Sequence, residues 1–529
     1  MPTYKNPGVY VSESPLVSNS QRSNLSTATA VFFGTAIRGP LTATLIDSWS
    51  SYKSYYGDID PNHELGYAVY HYFANGGRQA YVVRVLHTSG GGGTFASAAS
   101  VNVTYTADGS ASAPVYTTLF NATAANKGAW GNNLKVRTYA GTPSVGASVS
   151  PVPLGGASAT WFGFDLSVLL DDVEVERWNN VSANQADNRF VKAVVNTYSK
   201  YITIPTTSWP VASVGSAPKT DAAFTLAGGV EGFNSSGVIY SDGDFEAAIG
   251  SQLDNIEGVL ILNAVGRTSN TVVTALNTLA VSRGNAFVVV DAATTDDYTA
   301  VTSLISSYPQ SSYVSVYYPK LQMVDPTKTG PGALRDTFPG GAILGAYSRV
   351  DSTRGVAKAP AGYDVDIRNA VGLVTNYSTA NTEAMYATYG INLFKSIPGG
   401  GIIINGARTL DKSTPGRYIP IRRSLNYLKQ ALSDATEFAV FEPNDERLWT
   451  RITMTVSSLL SEFWRSGGLK GANANQAFYV TCNSTNNTST TINNGEVHIE
   501  VGVALQYPAE FIVINLSQWT GGSNAVSTL

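Results

Sequence analysis

From position 221 the chain alternates short apolar runs with helix-length segments, and this rhythm restricts the fold more than any single motif. Phe245, Ile249 and Leu253 recur at i, i+4 and i+8 and predict a helix over Phe245–Leu253. Gly258–Asn263 then reads as a strand, Thr271–Arg283 as a helix and Ala286–Asp291 as a strand. Asp297–Ser307 is a further helix, and Tyr313–Tyr318 and Gly401–Asn405 are further strands. Short, nearly continuous apolar strands separated by helices imply a parallel sheet covered on both faces. Residues 29–87 have the same character. Ala30–Phe33 and Tyr81–Val85 read as strands, and Leu65, Val69, Tyr72 and Phe73 mark a helix face that ends at Gly76-Gly77.

Between these parts the composition shifts. Residues 94–160 carry four charges, Asp108, Lys127, Lys135 and Arg137, and are rich in Ala, Ser, Thr, Val and Gly. With a hairpin expected around Asp171-Asp172 and a helix over Ala186–Lys200, residues 94–220 read as an inserted β-rich domain. The expected organisation is an N-terminal arm (1–28), the first part of a core α/β region (29–93), the insert (94–220), an α/β domain (221–405), a C-terminal α+β domain (406–508) and a C-terminal strand and arm (509–529). In the C-terminal domain, Ile421, Leu425, Leu428 and Leu432 line one helix. A second, with Asn444 expected as its cap, presents Leu448, Ile452, Val456, Leu459 and Phe463. Phe478–Cys482 and the alternating Val497, Ile499, Val501 and Val503 predict strands.

Composition narrows the function. The 529 residues carry 34 Lys+Arg against 38 Asp+Glu, and only 14% are charged. A chain this poor in charge fits one packed against copies of itself, and the absence of a basic excess argues against a nucleic-acid binder. No apolar run approaches the ~18 residues of a membrane helix, and the N-terminus has no apolar stretch like that of a signal peptide. The single cysteine, Cys482, rules out an internal disulfide and a cysteine-based zinc cluster.

Four histidines, His63, His71, His87 and His498, leave positions 88–497 without one, so a site confined to that stretch lacks both a histidine base and, up to Cys482, a thiol nucleophile. Phosphate-loop, HExxH and GxSxG patterns are absent. Asp242-Gly-Asp-Phe-Glu246 resembles a calcium-loop fragment but also reads as a capped helix start. Asp291 stands where an α/β enzyme places an acid, or caps a loop. No cofactor or metal is implied, and the chain is not expected to be an enzyme.

The two ends are strand-like without a partner. Gly8-Val9-Tyr10-Val11-Ser12-Glu13 is a short strand followed by the polar stretch Ser18–Thr29. A lone strand on a polar leash must pair with a sheet, either in its own domain or in another subunit. Glu510-Phe511-Ile512-Val513-Ile514-Asn515-Leu516 is apolar on both faces and calls for burial between neighbours.

Six motifs in order then resemble the tail sheath protein of contractile-tailed bacteriophages: Tyr4–Glu13 (with Pro-Gly-Val-Tyr-Val), Gly34–Pro40, Asn126–Leu134, Tyr317–Lys320 with Gly340–Arg349 and Arg354–Pro360, Phe441–Trp449, and Cys482–Asn487. The resemblance implies a subtilisin-like α/β body in fold only, with an inserted domain facing outward and a C-terminal domain facing an inner tube. It further implies stacked hexameric rings, knitted by arms lent to neighbours, that contract to drive the tube through a host envelope for genome delivery. Implied partners are neighbouring copies, the tail tube protein, and baseplate and tail terminator proteins, without nucleic acid or membrane insertion. The implied location is the virion tail, assembled in the host cytoplasm. An R-type bacteriocin or extracellular contractile injection system is the alternative setting. An α/β hydrolase-like enzyme and a secreted surface-layer protein are the competing classes. Arg422, Arg423 and Lys429 put positive charge on the first C-terminal helix and are the candidate tube contact.

Deleting residues 1–16 is expected to leave a folded body and abolish tube assembly. Circular dichroism and electron microscopy of the deletion check this, and normal tubes would refute the arm assignment.

Overall fold

The computed structural model describes residues 27–88, 92–106, 116–140, 163–183, 185, 187–205, 222–291, 295, 297–330, 332–399 and 401–510. The predicted arm strands therefore lie outside the described residues, and of the named arm positions only Glu510 falls within them.

An eight-stranded sheet forms the body. Its strands in chain order are β1 (Thr29–Gly34), β2 (Thr44–Ile46), β3 (Ala80–Arg84), β4 (Leu260–Ala264), β5 (Ala286–Val290), β6 (Val314–Tyr318), β7 (Ile391–Ile397) and β8 (Gly401–Asn405). They lie in the spatial order β8-β7-β6-β5-β4-β1-β3-β2. The six inner strands are mutually parallel, and β2 and β8 close the edges antiparallel. The predicted strand at Gly401–Asn405 is thus an antiparallel edge. Alternate residues serve opposite faces. Ala30, Phe32, Ile261, Phe287, Val289 and Tyr317 bury on one side, and Val31, Phe33, Leu260, Leu262, Val288 and Val316 on the other. Period-2 strands that are apolar at every position require cover on both faces, which the flanking helices supply.

Helices cover both faces of the sheet, among them Asn270–Arg283 against β5, and three of the others position the groups described below. α1 (Glu64–Ala74) lies on the first face. α2 (Asp242–Ser251) lies on the second and starts with a capping box between Ser241 and Asp244, as its sequence predicts. α3 (Gly340–Arg354) starts with no side-chain cap of its own and is buried from Gly340 through Ser348 and at Val350. It packs directly on the α1 backbone: a Cβ on Gly341 would fall 2.1 Å from the Ala68 carbonyl oxygen. The glycines that lower helix propensity here are what permit the close approach.

The insert holds a four-stranded antiparallel sheet of 222–225, 134–140, 163–170 and 173–182, and a three-stranded one of 100–106, 116–124 and 202–203. Asp171 and Asp172 both adopt positive φ, 49° and 64°, giving the two-residue turn expected of that hairpin. The helix read at Ala186–Lys200 is shorter, Val191–Tyr198. The strand Ala222–Thr225 pairs with the insert, and an antiparallel ribbon joins Thr94, Ser97 and Ser100 to Phe233, Val230 and Ala227. The insert's exit therefore runs past position 220. Arg84 fastens this junction. Its buried guanidinium donates to the carbonyls of Ala36 (2.8 Å), Ile37 (2.9 Å) and Lys127 (2.6 Å) and to Glu231 (3.2 Å), and Glu231 also accepts from Ala129 N and Tyr240 Oη.

The C-terminal domain is built on α4 (Ile419–Thr436) and α5 (Glu446–Arg465), which share a core with β9 (Phe478–Thr481) and β10 (Glu500–Val503). Asp445 caps α5 by accepting from Leu448 N, while Asn444, the expected cap, accepts from the Trp449 indole. Among the described residues no helix is long and apolar enough to cross a membrane.

Two glycine substitutions test the packing. Gly341→Ala is expected to lower stability by about 1–3 kcal/mol, because backbone on α1 must give way. Gly250→Ala, at an exposed α2 position with nothing within 4 Å, is expected to raise it by about 0.5–1 kcal/mol. Thermal denaturation of both reads the contrast.

Candidate functional site

In an open parallel sheet, ligands bind outside the carboxyl ends of the strands where the winding reverses. That place lies between β1 and β4; one strand over, at the carboxyl ends of β4 and β5, the protein's own groups bind one another. Asp291, which follows β5, accepts from Gly340 N (2.6 Å), Gly266 N (3.0 Å) and the Asn263 side chain (3.3 Å). Gly340 opens α3, so Asp291 supplies an internal anion to a helix N-terminus. Burial pushes its carboxyl up to about 6 against the lowering effect of those hydrogen bonds. Asp244 is likewise structural: it takes the Ser241 contacts and meets His87 at 2.7 Å, with both side chains buried. Among the described residues, no group of three or more His, Cys, Asp or Glu is placed to hold a metal.

Two further clusters of buried charge lie where the described residues begin and end, at an N-terminal root around Thr27 and a C-terminal root around Glu510. At the N-terminal root, Thr27 Oγ1 donates to Asp351 Oδ2 on α3 (2.7 Å), and Arg423 on α4 donates to the Thr27 carbonyl (3.1 Å). Arg423 and Asp351 form a two-point pair, Nη1 to Oδ1 at 2.9 Å and Nη2 to Oδ2, with side chains 1% and 3% exposed. The guanidinium also lies over Tyr347, whose hydroxyl meets Tyr317 at 2.6 Å. Two parallel N–H···O bonds fix geometry as well as charge.

At the C-terminal root, Glu510 accepts from Arg408 Nε (3.0 Å) and Nη2 (2.6 Å), from Tyr386 Oη, and from Tyr418 Oη (3.4 Å). Arg408 stacks on Tyr386, 4.1 Å from its ring centre. Its backbone pairs with Tyr418, the residue immediately before α4, and its N–H donates to Asn392 of β7. The Glu510 carboxylate is thus fixed before the chain enters Phe511–Leu516.

One sequence expectation is corrected here. Arg423, placed on the charged surface of its helix, is buried in the Asp351 pair and points into the body. The sequence grouped it with Arg422 by charge alone, but one residue turns 100° around a helix, and Asp351 lies far away in sequence. Arg422 stacks on Tyr313, 4.3 Å from its ring centre, and the exposed Lys429 lies 3.5 Å from the same tyrosine's hydroxyl. The structure therefore brings Arg422 and Lys429 together around Tyr313 and separates Arg423 from them. Asp351, Arg408 and Tyr386 were not singled out from sequence. No spacing marks them, because each meets its partner through tertiary packing.

The third feature is an incomplete sheet. β9 and β10 pair only with each other among the described residues. Phe478, Val480, Val501 and Val503 pack on the α5 core, while Tyr479 is 54% exposed. A two-stranded sheet is marginal alone, and its outer edges are templates for added strands.

Glu510 gives a pH test. Burial raises its pKa, but hydrogen bonds from Arg408 and Tyr386 and the Arg408 charge outweigh this and hold it below the ordinary 4.5. A depressed carboxylate pKa stabilises above its ordinary value, and the contribution is lost as pH falls through the folded-state value. Glu510→Gln should cost about 1–2 kcal/mol at neutral pH, and the gap should close below pH 4.5, as read by urea denaturation at several pH values.

Comparison with known proteins adds a family to this geometry. Residues 411–518 match the phage tail sheath C-terminal domain. Over 177 residues the chain is 28% identical to the tail sheath protein of Vibrio phage KVP40, covering 33% of this chain and 25% of that relative. The match thus spans about a quarter of the curated relative's length. In fold, the chain is similar to the sheath of an extracellular contractile injection system in its contracted state (TM-score 0.56, 19% identity, 98% of this chain and 99% of that one). It is also similar to a sheath tail protein from Listeria innocua (TM-score 0.57, 13% identity, 90% and 95%). The chain is thus similar over residues 411–518 to the phage tail sheath C-terminal domain, similar in sequence over part of its length to tail sheath proteins, and similar in fold to the sheaths of contractile systems.

Proposed function

We propose that this chain is the structural subunit of a contractile tail sheath. It polymerises through arms lent to neighbouring copies, stacks as hexameric rings around a tail tube, and shortens to drive the tube through a host envelope for genome delivery. The observation that carries this reading is the coexistence of two strand-like ends, rooted in buried charge, with an open two-stranded sheet on the same molecule.

An added strand gains main-chain hydrogen bonds worth roughly 0.5–1.5 kcal/mol net each, so one joint reaches several kcal/mol before ordering costs. Val9–Val11 and Phe511–Leu516 are the donors in this reading, and the edges of β9 and β10 are the acceptors. A subunit that gives to one neighbour and receives from another makes heterologous contacts, which build rings and helical filaments. The body is subtilisin-like in fold only. The internal hydrogen bonding of Asp291 fits a structural role.

The tube, the baseplate and the tail terminator are the further partners of this reading, and the virion tail, assembled in the host cytoplasm, is its location. Arg422 and Lys429, flanking Tyr313, remain the tube-facing candidates, without Arg423. A second reading, the sheath of an extracellular injection system, draws on the end-to-end fold likeness to such a sheath.

Negative-stain microscopy of the purified chain tests the proposal. Tubes or stacked rings are expected, and monodisperse monomers at all concentrations would overturn it. A synthetic peptide of residues 508–517 should compete for the β9–β10 edge and slow polymerisation in a dose-dependent way. A scrambled peptide should not.

A further inference from the structure

Both arm roots converge on one short piece of chain. Tyr418, immediately before α4, donates to Glu510 at the C-terminal root. Arg423, in the second turn of α4, holds Thr27 and Asp351 at the N-terminal root. Pro420 in the first turn fixes the backbone between them, and Ile419 and Ile421 are buried in the body beneath. The links on each side are also stiff. Arg408 is tied by backbone pairing to Tyr418 and by Asn392 to the sheet. Asp351 lies on α3, which is packed backbone-to-backbone on α1.

We propose that Arg423, Asp351 and Arg408 are positioning residues that join the two arms into one mechanical element through the opening turns of α4. Tension arriving along one arm passes to the other through the two clamps, which meet the start of α4 at Tyr418 and Arg423, five residues apart, so the body can rotate as a rigid unit while the joints on either side keep a fixed relation. This inference rests on the sheath reading, because the arms matter only if they engage other copies. Its physical basis is the geometry of the clamps. Each is a two-point guanidinium–carboxylate pair with tyrosine support, and each sits where an arm leaves the body. Single-point contacts would let the root swivel, whereas two parallel bonds fix an orientation.

The test compares three full-length variants with the unaltered chain. One removes both charges of the N-terminal clamp (Arg423→Met with Asp351→Leu), one removes those of the C-terminal clamp (Arg408→Met with Glu510→Gln), and one combines all four changes. Removing both members of a buried pair avoids a stranded charge, so the fold is expected to survive. Tube elongation followed by light scattering should slow about tenfold for each clamp variant, comparable to one hydrogen bond to a charged group. The combined variant should be no slower than the slower of the two, because a single element broken twice is still broken once. Normal elongation in either clamp variant, or losses that multiply in the combined one, would overturn the proposal and leave the sheath reading intact. Failure of the unaltered chain to polymerise would overturn both. Should a clamp variant fail to fold, Thr27→Val and Tyr386→Phe each remove one hydroxyl from a clamp and carry the same test. Non-additive slowing supports the coupling, and multiplying effects or none refute it.

Discussion

A guanidinium and a carboxylate buried together beside Thr27, at the start of the described residues, impose the local constraint on which the rest of the structure depends. Arg423 and Asp351 are almost wholly shielded from water. Neither could be there alone, since an unpaired charge in that position would cost several kcal/mol. The pair therefore fixes α3, α4 and Thr27 relative to one another, and with them the C-terminal domain relative to the sheet. β1, which begins two residues after Thr27, enters the centre of the sheet with its direction already set.

The rest of the architecture makes that constraint useful. A sheet buried on both faces is stiff, and glycine-mediated packing of α3 on α1 removes the side-chain layer that would otherwise cushion movement. Arg84 ties the insert to the body through four acceptors on both sides of the junction. The result is a tightly packed block with an open pair of strands at its margin and charged anchors at Thr27 and Glu510. Under the proposed sheath function, stiffness inside and strand pairing at the joints is a consistent division. Strand addition gives many weak main-chain bonds along a line, whereas the clamps give few strong ones at a point.

Much of the body was legible in the sequence because its signals are local. Continuous apolar strands such as Phe287–Val290 and the hairpin at Asp171-Asp172 depend on period and turn chemistry, which neighbouring residues carry. α3 was not legible as an element, since Gly340-Gly341 and Gly345 read as helix-weakening until the α1 backbone is seen against them. The arm-root clamps were hidden for a related reason. Arg423 next to Arg422 looks like surface charge, and only the return of Asp351 from another helix turns it inward. Glu510 was read as part of a strand, while its partner Arg408 carried no signal of its own. Sequence resemblance to a sheath protein suggested arms at the two ends but not the charged pairs beside Thr27 and at Glu510.

The most direct measurement is a cryo-electron microscopy reconstruction of tubes assembled from the purified chain, at a resolution that traces the backbone. The account predicts that the outer edges of β9 and β10 are each paired with a strand from another copy, one traceable to the Val9–Val11 segment and one to Phe511–Leu516, with the Arg423–Asp351 and Arg408–Glu510 pairs intact at their roots. Edges left bare in the assembled tube, or arms folded back onto their own subunit, would contradict it.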